Sequence, residues 1–485
     1  MDSSMTQGVI FTPIKLPCGR TVNNRLVKVA MYEHLADFLG GPPNEHHYAL
    51  YSNWADFGWG MIITGNVQVS NTHLSLGRDI ILPKDLSKRN LQPFKCLATS
   101  MRGSGELGVL AIMQLSHTGR QSSNLIGGRF PFQPPLAPSS IRVVSKESGW
   151  ISNAIHAFAF QQPTAMSVKD IDDVVEAFVK GARVAFESGF DGIQLHSAHG
   201  YLLAQFISPK SNKRKDSYSH PNNALRILHR IVSGIRSTTP EEFIIGIKLN
   251  AADYATHGDA NAYDRVLDHF KAIAQWKLVD FIEVSGGDYE KPDFMTRTTS
   301  YRQGFFSDFS KAAVDILESL SLGTSSPLVL LTGGLRTPEL LQTAIASKHC
   351  HLLGIGRASV LNPNLPYLLA HQILNRSSDL SNNFWSTPFS ADPDLNAWPR
   401  LRSYLPTIPL IGAGINMAWY IVAMRRLATI RLSSGHYREA FLQQDYTLGP
   451  VGAIFSMWVW IDGIYRPAFY LIVSVVIILV LILIS

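Results

Sequence analysis

Cysteine and charge are both scarce in this chain, and their scarcity narrows the classes of protein to which it can belong. The 485 residues include only Cys18, Cys96 and Cys350, which are too scattered to supply a metal site and fit a reducing compartment. Charged residues make up 16% of the chain, and the formal net charge of +6 is modest. The basic residues form no helix with interleaved aromatics, so we expect no nucleic-acid partner.

A secretory signal is also lacking, whereas the other end of the chain is strongly apolar. The first residues contain neither a basic nor an apolar segment, so no signal peptide is expected. Residues 468–484 carry no charge and would form a helix about 25 Å long, enough for a thin bilayer. We therefore predict a transmembrane anchor at 467–485, which makes the membrane a partner and leaves the body of the protein in the cytosol. Residues 407–424 are a second uncharged stretch, which either lies on or in the membrane or packs on the body.

Short apolar runs alternate with helical patterns through the first three quarters of the chain. Near-continuous apolar runs indicate strands buried on both faces, as in a parallel sheet covered by helices. The predicted strands are 25–30, 60–64, 109–115, 190–196, 243–249, 281–285, 328–332 and 352–355. Ser167 and Asp170 have the spacing of a capping box at the start of one intervening helix. Eight such units predict an α/β fold, a (β/α)8 TIM barrel with a C-terminal helical tail and membrane anchor.

An open doubly wound sheet is the alternative, but its dinucleotide fingerprint is missing. The glycines of residues 103–108 match the G-x-G-x-x-G pattern, yet they precede a strand where the fingerprint must follow one. The predicted organisation is a barrel at 1–375, a linker at 376–404, a membrane-proximal helical region at 405–466 and the anchor at 467–485. The long connection 121–163 and the loop 286–306 are expected to cover the barrel mouth.

The segment 189–209 carries the most chemistry. A buried strand leaves the core here and is followed within a few residues by His196, His199 and Tyr201. Two imidazoles can donate hydrogen bonds to a carbonyl oxygen, and a phenol can deliver a proton nearby. This set suits reduction of a carbon–carbon double bond conjugated to a carbonyl. The other interpretations are a His-x-x-His metal site, which lacks a third ligand at metal spacing, and two satisfied core histidines.

Other strand ends carry the groups that a phosphate-bearing cofactor needs. Glycines and an arginine after strands 7 and 8 suit a barrel phosphate site, Lys248 can stand near a ring that gains negative charge, and Gln114 can pair with a pyrimidine edge. Ordinary turns and a surface charge are the alternative interpretation. The candidate cofactor-binding residues at strand ends are Ala30, Met31, Tyr32, Gly65, Gln114, Lys248, Gly333, Gly334, Gly356 and Arg357.

Several of these segments together resemble the Old Yellow Enzyme family of FMN-dependent ene-reductases, over roughly residues 12–375. The matching segments are 24–31, 60–65, 114–121, 189–209, 212–216, 281–287, 332–336 and 354–363. The resemblance implies an FMN-binding eight-stranded barrel reduced by NAD(P)H. It further implies a substrate-binding pair at His196 and His199 and a proton donor at Tyr201. Its flavin-edge glutamine falls on Gln114, and its phosphate-binding residues are Gly334, Gly356 and Arg357.

The chain departs from this family at three places. Tyr32 stands where the family usually has Thr or Cys, and Lys248 stands where many members have arginine. A lysine keeps the charge but loses the bidentate fork. Ser219 and His220 replace a usual pair of glycines. The catalytic histidines and tyrosine are all retained.

The expected function is hydride transfer from NAD(P)H through FMN to the activated double bond of an α,β-unsaturated carbonyl compound. The anchor favours a lipophilic substrate or a secondary metabolite. Because of Tyr32, a flavin-dependent isomerase or cyclase without net NAD(P)H consumption is the main alternative. Two further alternatives are a membrane-anchored flavin carrier or scaffold, and a metal-dependent barrel lyase.

Overall fold

The computed structural model describes residues 8–143, 157–250, 262–285, 300–374, 389, 409–435 and 450–459. The strands are β1 (Ile14–Lys15), β2 (Thr21–Val22), β3 (Leu26–Lys28), β4 (Met61–Gln68), β5 (Ile80–Ile81), β6 (Leu110–Ser116), β7 (Leu136–Ala137), β8 (Thr164–Ala165), β9 (Gly192–Ser197), β10 (Ile244–Asn250), β11 (Phe281–Ser285), β12 (Leu328–Thr332) and β13 (Leu352–Ile355). The helices are α1 (Glu45–Ala55), α2 (Lys88–Arg102), α3 (Val168–Glu187), α4 (Leu202–Ile207), α5 (Arg226–Arg236), α6 (Ala262–Gln275), α7 (Ser300–Ser319), α8 (Pro338–Ala346), α9 (Arg357–Leu361), α10 (Leu365–Leu374), α11 (Pro409–Ser434) and α12 (Pro450–Trp458).

Eight parallel strands close into a barrel. Their order is β3, β4, β6, β9, β10, β11, β12 and β13, and β13 pairs with β3 to complete the ring. All eight predicted strands are confirmed, with bounds shifted by a few residues at most. β4 runs further than its predicted segment because the register shifts between Ile63 and Asn66, where an irregularity accommodates Thr64 and Gly65 and the pairing with β6 resumes.

The inner and outer faces of each strand carry different side chains. On β10, Ile244 belongs to the cluster inside the barrel, whereas Ile245 and Ile247 join the larger cluster between barrel and helices. The barrel interior is closely packed at this strand: a Cβ on Gly246 would lie 2.1 Å from the ring of Phe281. Glycine at this position therefore leaves the space that the phenyl ring occupies.

The helices cover the barrel with their apolar faces. α3 begins at the predicted capping box, in which the Ser167 hydroxyl accepts from the Asp170 amide at 3.2 Å and the Asp170 carboxylate accepts from the Ser167 amide at 2.7 Å. This predicted helix start is confirmed. The loop predicted at 286–306 is partly helical, because residues 300–306 belong to α7, and residues 286–299 lie outside the described residues.

The tail helix α11 packs on the barrel helix α1. Trp419, Tyr420 and Ile421 are buried in the same hydrophobic cluster as the outer faces of the barrel strands. Polar contacts hold the same surface: Asn53 donates to the carbonyl of Leu427 at 3.2 Å, and Arg431 pairs with Asp56 at 2.6 Å. Of the two placements left open for 407–424, the described part of this stretch therefore adopts packing on the body.

The predicted membrane location is wrong. Within the described ranges, no helix is both long enough and apolar enough to cross a bilayer. The segment 467–485, on which the prediction of an anchor depended, lies outside the described residues, as does most of the linker predicted at 376–404. The predictions of an anchor and of the membrane as a partner therefore have no support among the described residues.

Candidate active site

A layer of buried polar side chains lies inside the barrel near the carboxyl ends of its strands. Gln114 of β6 donates to Gln194 of β9 at 2.7 Å, and Gln194 donates to Glu283 of β11 at 2.7 Å. Glu283 forms an ion pair with Lys248 of β10 at 2.9 Å, and both side chains are buried. Four strands therefore contribute to one hydrogen-bonded chain that ends in a cation.

His196, His199 and Tyr201 come together at the end of β9. The ring centroids of His196 and His199 are 5.1 Å apart, and those of His196 and Tyr201 are 4.7 Å apart. Lys248 pairs with His196 in the strand register, so the cation stands beside the same cluster. The convergence predicted from the sequence segment is thus present in the fold.

Local backbone contacts set the positions of these three side chains. His199 adopts a left-handed conformation (φ 55°), and its carbonyl accepts from the Gln121 side chain at 2.8 Å. Gln205 donates to the carbonyl of Gly200 at 2.7 Å, which fixes the turn that follows. Tyr201 caps α4 and is buried, so its ring has little freedom.

The neutral form of His196 is strongly favoured. Burial, and then the positive charge of Lys248, holds the pKa of His196 well below its usual range. The Nδ1 atom accepts from the backbone amide of Ala198 at 3.3 Å, so the proton of the neutral ring is assigned to Nε2. His196 is therefore a neutral hydrogen-bond donor through Nε2. The Nε2 atom of His199 lies 3.0 Å from the Ser285 hydroxyl.

The hydroxyl of Tyr201 lies within a polar surrounding. It accepts from the Asn66 side chain at 3.3 Å and donates to Ser75 at 3.5 Å. Val143 and Phe160, from the connection predicted to cover the mouth, pack against its ring. This tyrosine is therefore shielded by the long connection and hydrogen-bonded through β4 and the loop after it.

Tyr32, the departure at the end of β3, joins the same region. Its hydroxyl donates to the buried carboxylate of Asp79 at 3.2 Å and lies 3.2 Å from Nδ1 of His34. Burial, and then the charge of Asp79, raises the pKa of the Tyr32 phenol well above its ordinary value, and Tyr201 adds to this effect. Two phenols therefore lie close enough to influence one another.

The strand ends predicted to bind phosphate are present, with one addition from the tail. Gly333 and Gly334 have φ values of 115° and 75°, which favour glycine. Gly356 precedes α9 without a side-chain cap, and a Cβ there would meet only Val29, at 3.7 Å. The guanidinium carbon of Arg357 lies 5.9 Å from the ring centre of Tyr420 on α11, so the tail reaches this corner of the barrel.

Two further candidates, Ala30 and Met31, follow β3 at the mouth and are partly exposed. Gly65 differs, because its amide already donates to the Glu33 carboxylate and to the Tyr51 hydroxyl, each at 2.8 Å. Gly65 is thus tied to α1, while Ala30 and Met31 line the strand end.

Sequence reasoning missed several polar residues of the site. Gln194 and Glu283 complete the interior chain, and Asn66, Ser75 and Asp79 surround the two phenols. Glu283 carried a usable signal, since it is the one charge in an apolar strand. As regards the metal alternative, no group of three His, Cys, Asp or Glu side chains able to hold a metal occurs in the part of the chain that the structure describes.

Comparison with known proteins points to one family. The model of the NADH:flavin oxidoreductase / NADH oxidase family matches residues 9–376. The NADH-dependent flavin oxidoreductase iccE of Talaromyces variabilis is 33% identical over 434 residues, which are 86% of this chain and 97% of that protein. The NADH-dependent flavin oxidoreductase iliE of Neonectria sp. (strain DH2) is 36% identical over 372 residues, 73% of this chain but 46% of that longer protein. Morphinone reductase superposes with a TM-score of 0.59 at 19% identity, covering 75% of this chain and 89% of its own, and shows the fold alone.

Proposed function

Because the chain belongs to the NADH:flavin oxidoreductase family and is thus an FMN-dependent NAD(P)H oxidoreductase, we propose that it reduces the activated double bond of an α,β-unsaturated carbonyl compound. The observation that carries this proposal is the cluster of His196, His199 and Tyr201 beside the cation of Lys248. Two ring donors and a phenol within one small volume are what polarisation and protonation of such a substrate require.

The residues at the strand ends fit FMN. Gln114 and Lys248 offer an amide and a buried cation to the pyrimidine edge, and Gly333, Gly334 and Arg357 offer backbone amides and a guanidinium to the phosphate. Ala30, Met31, Tyr32, Gly65 and Gly356 complete the proposed cofactor site. When bound, FMN supplies the hydride that it has accepted from NAD(P)H.

The histidine pair would hold the carbonyl oxygen of the substrate. His196 is neutral and donates through Nε2, so it can stabilise negative charge on that oxygen without giving up a proton permanently. His199 stands beside it, with its backbone fixed by Gln121. Together they would draw electron density from the β-carbon.

Tyr201 would protonate the α-carbon. The hydrogen bond from the Asn66 side chain to its oxygen stabilises the phenolate that remains after the proton leaves. The packing of Val143 and Phe160 on the ring restricts water at this position. Both contacts favour transfer from the phenol over transfer from bulk water.

Tyr201→Phe tests this proposal directly. In this variant, we expect oxidation of the reduced flavin by an enone to be roughly 10²–10⁴-fold slower than in the wild type. Reduction of the flavin by NAD(P)H should stay close to the wild-type rate. Stopped-flow absorbance measures the two half-reactions separately. Tyr218→Phe is the matched control, because it removes a buried phenol hydroxyl whose partner is Arg230, away from the cluster. Equal slowing of both half-reactions by Tyr201→Phe would refute the proton-donor assignment.

An isomerase or cyclase is the second candidate, and Tyr32 is the observation that favours it. Its hydroxyl donates to the Asp79 carboxylate and places a second proton-bearing group near Tyr201, so a proton could be delivered at a second position of the substrate. Product analysis separates the two functions: ene-reduction adds two hydrogens and consumes one NAD(P)H per product, whereas isomerisation leaves the substrate mass unchanged. The preference for a lipophilic substrate depended on the membrane anchor and is not carried forward.

A further inference from the structure

The tail helices α11 and α12 touch the proposed cofactor site, although they lie beyond the residues that the family model matches. That match ends at residue 376, whereas α11 begins at Pro409. On α11, the ring centre of Tyr420 lies 5.9 Å from the guanidinium carbon of Arg357, which follows β13. The Tyr420 ring is therefore supplied by a part of the chain outside the matched family range.

The main chain around Arg357 is held by α1. The indole nitrogen of Trp54 donates to the carbonyl of Ser359 at 2.7 Å, and the Ser359 hydroxyl donates to the carbonyl of Gly356 at 2.7 Å. These bonds fix the short helix α9, but the arginine side chain at its start keeps several rotatable bonds. This side chain is partly exposed, and the aromatic face of Tyr420 is a surface against which its planar guanidinium can be held.

Tyr420 is itself fixed by burial. It is 3% exposed, and its ring centre lies 5.0 Å from that of Trp419, with the two ring planes at 77°. The helix that carries it is held on α1 by the hydrogen bond from Asn53 to the carbonyl of Leu427 at 3.2 Å. The Tyr420 ring therefore has little freedom, so it restricts the positions that the guanidinium of Arg357 can take.

The second tail helix, α12, contacts the neighbouring strand end of the same site. The ring centres of Trp458 and His34 are 5.1 Å apart in an edge arrangement, and Nδ1 of His34 lies 3.2 Å from the Tyr32 hydroxyl. Arg425 of α11 donates to the carbonyl of Ser456 at 2.8 Å, which ties the two tail helices together. The tail thus reaches the residues after β13 and those after β3, and these two strands are paired in the barrel.

We propose that the tail is part of the cofactor site and that Tyr420 is a positioning residue for Arg357, the cation that we assign to the phosphate of FMN. An arginine that is already held in place loses less conformational freedom when it binds a phosphate, so the bound state is favoured. This inference rests on the cofactor site of the proposed function and not on its substrate. Tyr420 acts on the cofactor only through Arg357.

Tyr420→Leu tests this role by comparing FMN with riboflavin, which has the same ring system but no phosphate. Each flavin is titrated into the full chain freed of flavin, and the quenching of flavin fluorescence gives its Kd. We expect the variant to bind FMN roughly 3–10-fold more weakly than the wild type, because the guanidinium would lose more conformational freedom on binding. Riboflavin should bind with the wild-type affinity. The ratio of the riboflavin Kd to the FMN Kd separates lost positioning from lost stability, since both flavins bind the same folded protein.

Two further variants on α11 are the controls. Tyr420→Phe keeps the aromatic face and should keep the wild-type ratio of the two Kd values. Leu427→Ala removes a buried side chain about two helical turns from Tyr420, so it should lower stability without changing the ratio. A ratio lowered equally by Leu427→Ala and Tyr420→Leu would overturn the inference, because any disturbance of α11 would then have the same effect.

Arg357→Met distinguishes the inference from the site on which it rests. This variant should lower the ratio by roughly 10-fold or more, because a charge-assisted hydrogen bond to the phosphate is lost. Adding Tyr420→Leu to Arg357→Met should lower the ratio no further, since Tyr420 acts through this arginine. A wild-type ratio in Tyr420→Leu, with a lowered ratio in Arg357→Met, would overturn the inference and leave the proposed cofactor site standing. A wild-type ratio in Arg357→Met would remove Arg357 from the proposed phosphate site itself.

Discussion

Lys248 and Glu283 place opposite charges inside the barrel, where neither has access to bulk water. The two charged groups are 2.9 Å apart, and Gln194 donates a hydrogen bond to the same carboxylate. These two contacts compensate for much of the desolvation free energy of burying the charges. A buried pair of this kind is tolerated because each charge compensates the other. The strand register places this cation beside His196, in the cluster that we propose to be catalytic.

Removing one partner should therefore be more harmful than removing both. We expect Glu283→Gln to lower the free energy of unfolding by about 3–5 kcal/mol, because Lys248 would remain buried without a counter-ion. The double variant Lys248→Met/Glu283→Gln should recover much of that loss. Urea denaturation of all three proteins measures the differences. A single variant within about 1 kcal/mol of the wild type would show that the pair contributes little.

Which of these residues the sequence could reveal depends on the separation of their partners along the chain. Gln114 and Lys248 were predicted because each follows an apolar run at a strand end. Gln194 and Asp79 were not, since their partners become neighbours only through the strand register and the loop after β4. Tyr32 was recognised as a departure, but its hydrogen bond to Asp79, 47 residues away, could not be inferred from local pattern.

At the scale of elements, the first part of α11, which carries no charge before Arg425, shows why an uncharged helical stretch is ambiguous. A helix that crosses a bilayer and one that is buried in a protein both lack charge on their apolar surface. The distinguishing features of α11 are its contacts with α1: the ion pair of Arg431 with Asp56 and the apolar residues around Ile421. These contacts involve residues about 375 positions apart in sequence, which no local pattern encodes.

Ile421→Ala tests how much the tail contributes to the fold. Ile421 is 2% exposed against the barrel, so the variant should lose about 2–5 kcal/mol of unfolding free energy through the cavity it creates. Leu432→Ala is the control on the same helix, since Leu432 is 47% exposed and should change stability by no more than about 0.5 kcal/mol. Equal effects of the two substitutions would mean that α11 is not part of the core.

At the scale of the whole molecule, closure of the barrel explains why the strands and the shared site could be predicted. It also explains why the arrangement of the side chains could not. The eight strands were predicted correctly because each is buried on both faces and therefore apolar along its whole length. Closure then brings the strand ends to one mouth, which is why His196 and Lys248 could be assigned to one site. The fine arrangement of Asn66, Ser75 and Tyr201 depends on side-chain directions that closure alone does not fix.

The whole molecule also buries several histidines in neutral form, which couples folding to pH. Burial is the main cause that lowers the pKa values of His34, His47 and His117 to about 3. In the unfolded chain these groups titrate near the ordinary value of about 6.5, so the unfolded state binds more protons between pH 6.5 and 3. The stability they contribute is complete above pH 6.5 and is lost as the pH falls towards 3. Glu33 and Asp79, whose pKa values burial raises, act in the opposite sense.

The substitution His47→Gln tests how much one of these histidines contributes to the pH dependence of stability. His47 is the third residue of α1, where its ring nitrogen accepts from the Asn44 amide at 3.2 Å, and glutamine can keep that capping contact without titrating. When the pH falls from 7.5 to 5, the free energy of unfolding should decrease in both proteins. The decrease should be about 2 kcal/mol larger in the wild type than in the variant. Urea denaturation at the two pH values measures this difference. If the stability of the two proteins fell equally with pH, His47 would be protonated in the folded state. The assignment of His47 as a neutral, buried member of the capping box would then be wrong.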